Sequence, residues 1–179
     1  MAELRLQDGS TVTVRQEIAE HLAPLGVHLR YWPLPDTPRS TELRAAKTLS
    51  ADEQDELLGL VDHRFRSLQD EFGYEARDLI VLHEDIPDLT SALAKFADIH
   101  YHEDDEVRYV LDGAGYFGFV TATGDQMLLK VSAGDYINVP ARTEHWFVMR
   151  DSPRIKAVRY FIDKEGWVPV YTNTAVALA

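Results

Sequence analysis

Apolar positions in this chain change their spacing near residue 98, and two kinds of structure follow from the change. Ahead of that point, short runs at Leu4–Leu6 and Thr11–Val14 flank the tight-turn dipeptide Asp8-Gly9, so a hairpin is expected. A short helix over Gln16–Ala23 should stop near Pro24 and Gly26, with Val27–Pro33 extended after it. Ser50 and Glu53 have capping-box spacing, and Leu57, Val61, Phe65, Leu68 and Phe72 then recur at steps of three or four. That stripe predicts one helix, stopped at Gly73 and laid on a larger body. A shorter helix is expected from Pro87 to Phe96.

From Ile99 onward the pattern is one of strands and turns. Extended runs fall at Glu106–Leu111, Tyr116–Thr121, Gln126–Val131, Tyr136–Val139, His145–Arg150 and Ile155–Ile162. Gly113/Gly115, Gly124-Asp125, Gly134-Asp135, Pro140 and Ser152-Pro153 separate them. Many short strands at regular spacing predict a mainly β fold, a sandwich or jelly-roll barrel with a few flanking α-helices. The closing stretch VPVYTNTAVALA adds one more expected strand and a loose tail.

No internal repeat or Gly/Ser-rich linker interrupts the chain, and 179 residues suit one domain with a sizeable core. The net charge of −12 argues against a surface made for phosphate backbones or anionic lipid, which need clustered Lys and Arg. A nucleic-acid partner and a membrane are therefore not expected. There is no cysteine, so disulfides, thiolate metal sites and cysteine nucleophiles are excluded. MAELRLQDGS has neither a basic nor an apolar leader region, and no apolar run is long enough to span a bilayer. A cytoplasmic monomer is the expectation.

Candidate chemistry sits where the pattern changes. His100-Tyr101-His102 places two imidazoles at i and i+2, on one face of an extended backbone. Glu106 follows with the same parity, past Glu103-Asp104-Asp105. His145 comes after a turn and Pro140, which lets a second strand cross opposite the first. Three imidazoles and a carboxylate suit a borderline divalent ion such as iron, nickel, manganese, cobalt or zinc, and suit Ca²⁺ and Mg²⁺ poorly. Four protein ligands on an octahedral ion leave two adjacent positions for a bidentate substrate. Taken singly, the acidic run also reads as a solvated loop and His145 as a packed histidine. The other histidines, His21, His28, His63 and His83, read as structural or solvent-facing.

Neighbouring residues point the same way. On a regular strand Arg108 has the parity of Glu106, and Arg159 shares a face with Ile155, Ala157 and Phe161, so both guanidiniums turn inward. An inward guanidinium is costly unless an anion meets it, either a substrate or a structural partner such as Asp105 or Asp112. Phe147 shares a face with His145 and forms a pocket wall, while Phe96 and Trp167 supply apolar cover or ordinary core packing. Asp105, beside the ligand set, is a candidate to orient a ligand.

The spacing His100-x-His102-x-x-x-Glu106 with Gly113 resembles the first cupin motif, and Gly134, Pro140 and His145 resemble the second. Ala94, Arg142 and Met149 stand where those motifs usually carry glycine, glycine and asparagine. The stretches KFADIHYHEDDEVRYVLDGAGYFGF, DYINVPARTEHWF and VRYFIDKEGWVPVY resemble one cupin branch, the acireductone dioxygenases, and the likeness runs along most of the chain. It implies one cupin domain over residues 1–179, with 1–98 packing on a metal-binding barrel core at 99–172. It implies His100, His102, Glu106 and His145 as ligands of one Fe²⁺, alternatively Ni²⁺. Arg108 and Asp105 would then be the catalytic residues, and Phe96, Phe147, Arg159 and Trp167 would line the substrate pocket. The implied reaction cleaves a small enediol, acireductone, with O₂ in methionine salvage. With iron it gives formate and 4-methylthio-2-oxobutanoate; with nickel it gives carbon monoxide, formate and 3-methylthiopropionate. Another metal-dependent cupin dioxygenase and a non-enzymatic metal-loaded cupin remain open from the residues themselves.

Overall fold

The computed structural model describes residues 1–150, 153–162 and 167–178. A hairpin of β1 (Glu3–Leu6) and β2 (Thr11–Val12) opens the chain, with Leu4 opposite Val12. The helix α1 (Arg15–Leu22) continues as a 3₁₀ turn over Ala23–Leu25 and stops at Gly26. Next comes β3 (His28–Tyr31), as the extended reading expects.

The predicted middle helix is two helices, α3 (Ala51–Leu60) and α4 (Asp62–Phe72). They break at Val61, whose backbone leaves the helical region at φ −113° and ψ 9°. The apolar stripe crosses the break because the two helices cover the same surface. The Ser50–Glu53 capping box forms, and Gly73 ends α4 at φ 75°. Two elements were not read from the sequence: α2 (Pro38–Ala45) and β4 (Ala76–His83). The first carries its own start signal, since Thr37 caps Ser40 and Pro38 takes the first helical position. A fifth helix, α5 (Leu89–Ala97), precedes β5 (His100–Tyr101).

The remaining strands are β6 (Glu106–Val120), β7 (Gln126–Ser132), β8 (Asp135–Val139), β9 (His145–Val148), β10 (Arg154–Phe161) and β11 (Val170–Tyr171). The expected turn at Ser152-Pro153 lies partly outside the described residues. All pairs are antiparallel. One sheet runs β11-β5-β9-β6-β7-β1-β2, and the other runs β4-β10-β6-β8-β3. Both contain β6, which was expected as two strands. Its first half pairs with β8 and β10, and its second half with β7 and β9. Among the described residues the sheet does not close into a full barrel.

A bulge makes the crossing possible. Lys156 faces Asp112 while Ala157 faces Val110, so Leu111 is one extra residue on β6. An extra residue reverses side-chain parity beyond it. Accordingly Val110 faces the space between the sheets on even numbers, and Phe117 and Phe119 face it on odd ones. Gly113 completes the bend at φ 74°, where a Cβ would lie 1.9 Å from the Arg154 carbonyl oxygen.

Three apolar layers result. Leu4, Phe117, Phe119, Met127, Leu129, Ile137 and Ala157 fill the inside. Val107, Tyr109, Val158 and Tyr160 face outward and are covered by Leu43, Leu57 and Leu68 of the helices. On the opposite side Trp146, Leu128 and Ile99 pack under Leu178 of the tail. No helix among the described residues is long and apolar enough to cross a membrane.

Candidate metal centre

One end of the inner space is polar, and four side chains meet there. His100 and His145 are directly opposed on β5 and β9. His102 follows β5, and Glu106 opens β6. All four are buried, and one ligand atom from each lies within 4.8 Å of the others. Glu106 Oε2 sits 3.1 Å from His102 Nε2 and 3.0 Å from His145 Nε2.

The hydrogen bonds decide which nitrogens face inward. His100 Nδ1 donates to the Asp98 carbonyl and His145 Nδ1 to the Thr143 carbonyl, each at 2.7 Å. A carbonyl accepts only, so both Nδ1 atoms hold the proton and both Nε2 atoms present a lone pair. Burial lowers the His100 pKa to about 4, which keeps that ring neutral. Burial would raise the Glu106 carboxyl, but the Arg108 guanidinium beside it works the other way, and the carboxyl is held well below the usual range. Lone pairs and a carboxylate oxygen thus converge on one point. Such acceptors repel unless a cation lies among them, so the donor set fits a divalent ion of nitrogen and oxygen preference.

A cavity of about 190 Å³ opens beside this cluster. His100, Glu106, Arg108 and Arg159 form its polar end, and Ile80, Leu82, Leu93, Phe96, Phe117 and Phe147 are among its apolar walls. Arg108 Nη2 pairs with Glu106 Oε1 at 2.9 Å, while Nη1 is buried with no hydrogen-bond partner. The anion that the sequence reading sought in Asp105 or Asp112 is therefore Glu106. Arg159 pairs through both its Nε and Nη2 with Asp78, at 2.7 and 2.6 Å. Trp167 lies over both guanidiniums, 4.6 Å from Arg108 and 5.5 Å from Arg159, and stacks on His102 with ring centroids 6.3 Å apart. The Phe96 ring is 5.9 Å from that of His100.

Asp105 is not brought into the cavity. Its carboxylate accepts from the Ala141 amide at 3.0 Å and from Asn138 Nδ2 at 3.3 Å. Several wall residues were missed, because β4 was unread and with it Ile80, Leu82 and the Asp78 partner of Arg159. The apolar run Leu79–Leu82, bounded by Gly73 and Pro87, is the signal that marks that strand.

Fold and donor set together define a cupin with one metal site. Residues 11–169 match the model of the ARD/ARD' family. An acireductone dioxygenase of Microcystis aeruginosa (strain NIES-843 / IAM M-2473) is 49% identical over 176 residues, covering 98% of this chain and 96% of the relative. One from Leptospira interrogans is 41% identical over 179 residues, covering 99% of each. Among solved structures, acireductone dioxygenase from Bacillus anthracis with a cadmium ion in its active centre superposes with a TM-score of 0.87. It is 29% identical and covers 96% of this chain and 98% of that one. The chain belongs to the ARD/ARD' family.

Proposed function

We propose that this chain is a dioxygenase that cleaves acireductone, 1,2-dihydroxy-3-keto-5-methylthiopentene, with O₂ in methionine salvage. The observation that carries the reading is the cavity itself, which joins four convergent metal donors and a buried unpartnered guanidinium N–H to an apolar pocket. His100, His102, Glu106 and His145 would hold one Fe²⁺ or Ni²⁺ ion. When bound, the ion supplies Lewis acidity and a template for a chelating enediolate.

The protein's own part follows from the groups around the substrate. Arg108 Nη1 is free to donate to a substrate oxygen, and its charge favours the deprotonated enediolate. Arg159, held by Asp78, adds a second positive charge at the same end. The walls formed by Ile80, Leu82, Leu93 and Phe117 suit a methylthio tail and exclude water from it. Asp105 steadies the approach to Glu106 from behind, through Ala141.

The test is reconstitution of metal-free protein with Fe²⁺ or Ni²⁺, followed by acireductone and then air. The expected result is O₂ uptake with either ion. Formate and 4-methylthio-2-oxobutanoate should follow with iron, and carbon monoxide with formate and 3-methylthiopropionate with nickel. Stoichiometric metal without turnover would move the reading to a different chelating substrate.

A further inference from the structure

The turn that leads into β9 holds two of the metal ligands at once. The Thr143 amide donates to the Pro140 carbonyl at 3.2 Å, closing a four-residue turn over Pro140–Thr143. Its third residue, Arg142, has φ 63°, the sign that a type II turn demands and that normally selects glycine or asparagine. From this turn the Arg142 amide donates to the His102 carbonyl at 2.8 Å, and the Thr143 carbonyl accepts from His145 Nδ1. His102 needs such a tie. It is a candidate ligand whose Nδ1 is buried with no partner, whereas His100 and His145 are each fixed by a backbone carbonyl.

An arginine in a left-handed turn position is unfavourable unless its side chain offsets the cost. Arg142 has such a side-chain contact, in a largely exposed pair: its Nε and Nη2 both donate to Glu103 Oε2, at 3.0 and 2.8 Å. Glu103 is the residue after His102. Arg142 therefore grips the His102–Glu103 segment twice, once by its amide and once by its guanidinium. The turn, in its glycine-like form, is thereby clasped against the loop that carries the other ligands.

We propose that Arg142 is a positioning residue that acts through His102, its clasp on Glu103 fixing the Pro140–Thr143 turn so that His102 and His145 aim at one ion. This rests on the metal-site reading above. The clasp also explains why a glycine is dispensable at this place in the second motif.

Cobalt(II) binding to the metal-free protein, measured by competition with a chromophoric chelator, tests it. Arg142→Gly relaxes the backbone but releases Glu103, so it separates turn strain from the clasp. The expected outcome is a cobalt dissociation constant raised about threefold to tenfold in R142G and in E103Q, with altered visible d–d bands. Charge reversal gives the rescue: R142E and E103R should each weaken binding, and the double variant should recover most of the loss. Arg39→Ala breaks the exposed pair with Glu56, far from the site, and should leave cobalt affinity unchanged. Wild-type affinity in R142G, or no recovery in the double variant, would overturn the clasp while leaving the metal site intact. A wild-type protein that took up no cobalt would sink the metal reading and the clasp with it.

Discussion

At the scale of single residues, the chemistry depends on which way a few side chains point. Arg108 lines the cavity, with Nη2 on Glu106 and Nη1 buried without a hydrogen-bond partner. Lysine keeps the charge but is a point donor on a flexible stem, and it stacks less well under Trp167. Arg108→Lys is therefore expected to keep the fold and lose kcat/KM on the order of 100-fold, as when one preorganised donor is removed. Steady-state kinetics on acireductone check it; near wild-type kcat/KM would show that charge alone suffices. The shared inward face of Glu106 and Arg108 was legible in the sequence, because both lie on β6 where strand period two holds. His102, by contrast, lies past the end of β5 and joins the cluster from the segment between the strands. The direction of Asp105 was not legible. It lies one position from Glu106, but its partners Ala141 and Asn138 come from a distant part of the chain.

Elements are set by a few interruptions in otherwise regular patterns. The glycines at 113 and 115 read as a turn between two strands, yet they mark a bend inside one strand that serves both sheets. A turn and a bulge share the same local requirement, a residue free of Cβ, and only the partners distinguish them. Gly113→Ala should accordingly be severe, since it forces a Cβ onto the Arg154 carbonyl at a positive φ. The expected loss is about 2–4 kcal/mol of stability. Chemical denaturation would report it, and a loss below about 0.5 kcal/mol, the usual range for surface changes, would count against the bend. The split of the middle helix at Val61 was hidden for a related reason: Leu57 and Leu68 meet one surface, so the apolar spacing runs on across the break. A buried lysine gives a second case. Lys156 Nζ donates to the Arg44 and Ala46 carbonyls at the end of α2, so β10 anchors a helix that no periodicity in its own sequence revealed. Lys156→Met would leave the Ala46 carbonyl without that donor and the Arg44 carbonyl with only the longer bond from Arg154, at an expected cost of about 1–3 kcal/mol seen as a lowered Tm.

Across the whole molecule, the site lies where short pairing in the sheet meets a buried cluster of four possible metal donors. β5 has two residues and is held by single short ladders to β9 and β11, while β6 and β10 pair along most of their lengths. This topology was not readable from spacing, because the crossing of β6 between sheets depends on contacts far apart in sequence. Its consequence is that the four donors come from three separate segments, and only the folded chain brings them together. An ion that binds the folded state alone stabilises it by about 4 kcal/mol at a thousandfold excess over its dissociation constant. Chelation should therefore lower Tm by roughly 8–16 °C for a chain of this size. The loss should also be local. Amide exchange is expected to quicken in β5 and in the Pro140–Thr143 turn, and to stay slow in β10 and the first half of β6. His145→Ala protein should show no metal-dependent shift at all, since its remaining three donors no longer close across β5 and β9. Uniform quickening over both sheets would mean that the ion supports the whole fold, and that β5 and its turn do not open as a separate unit.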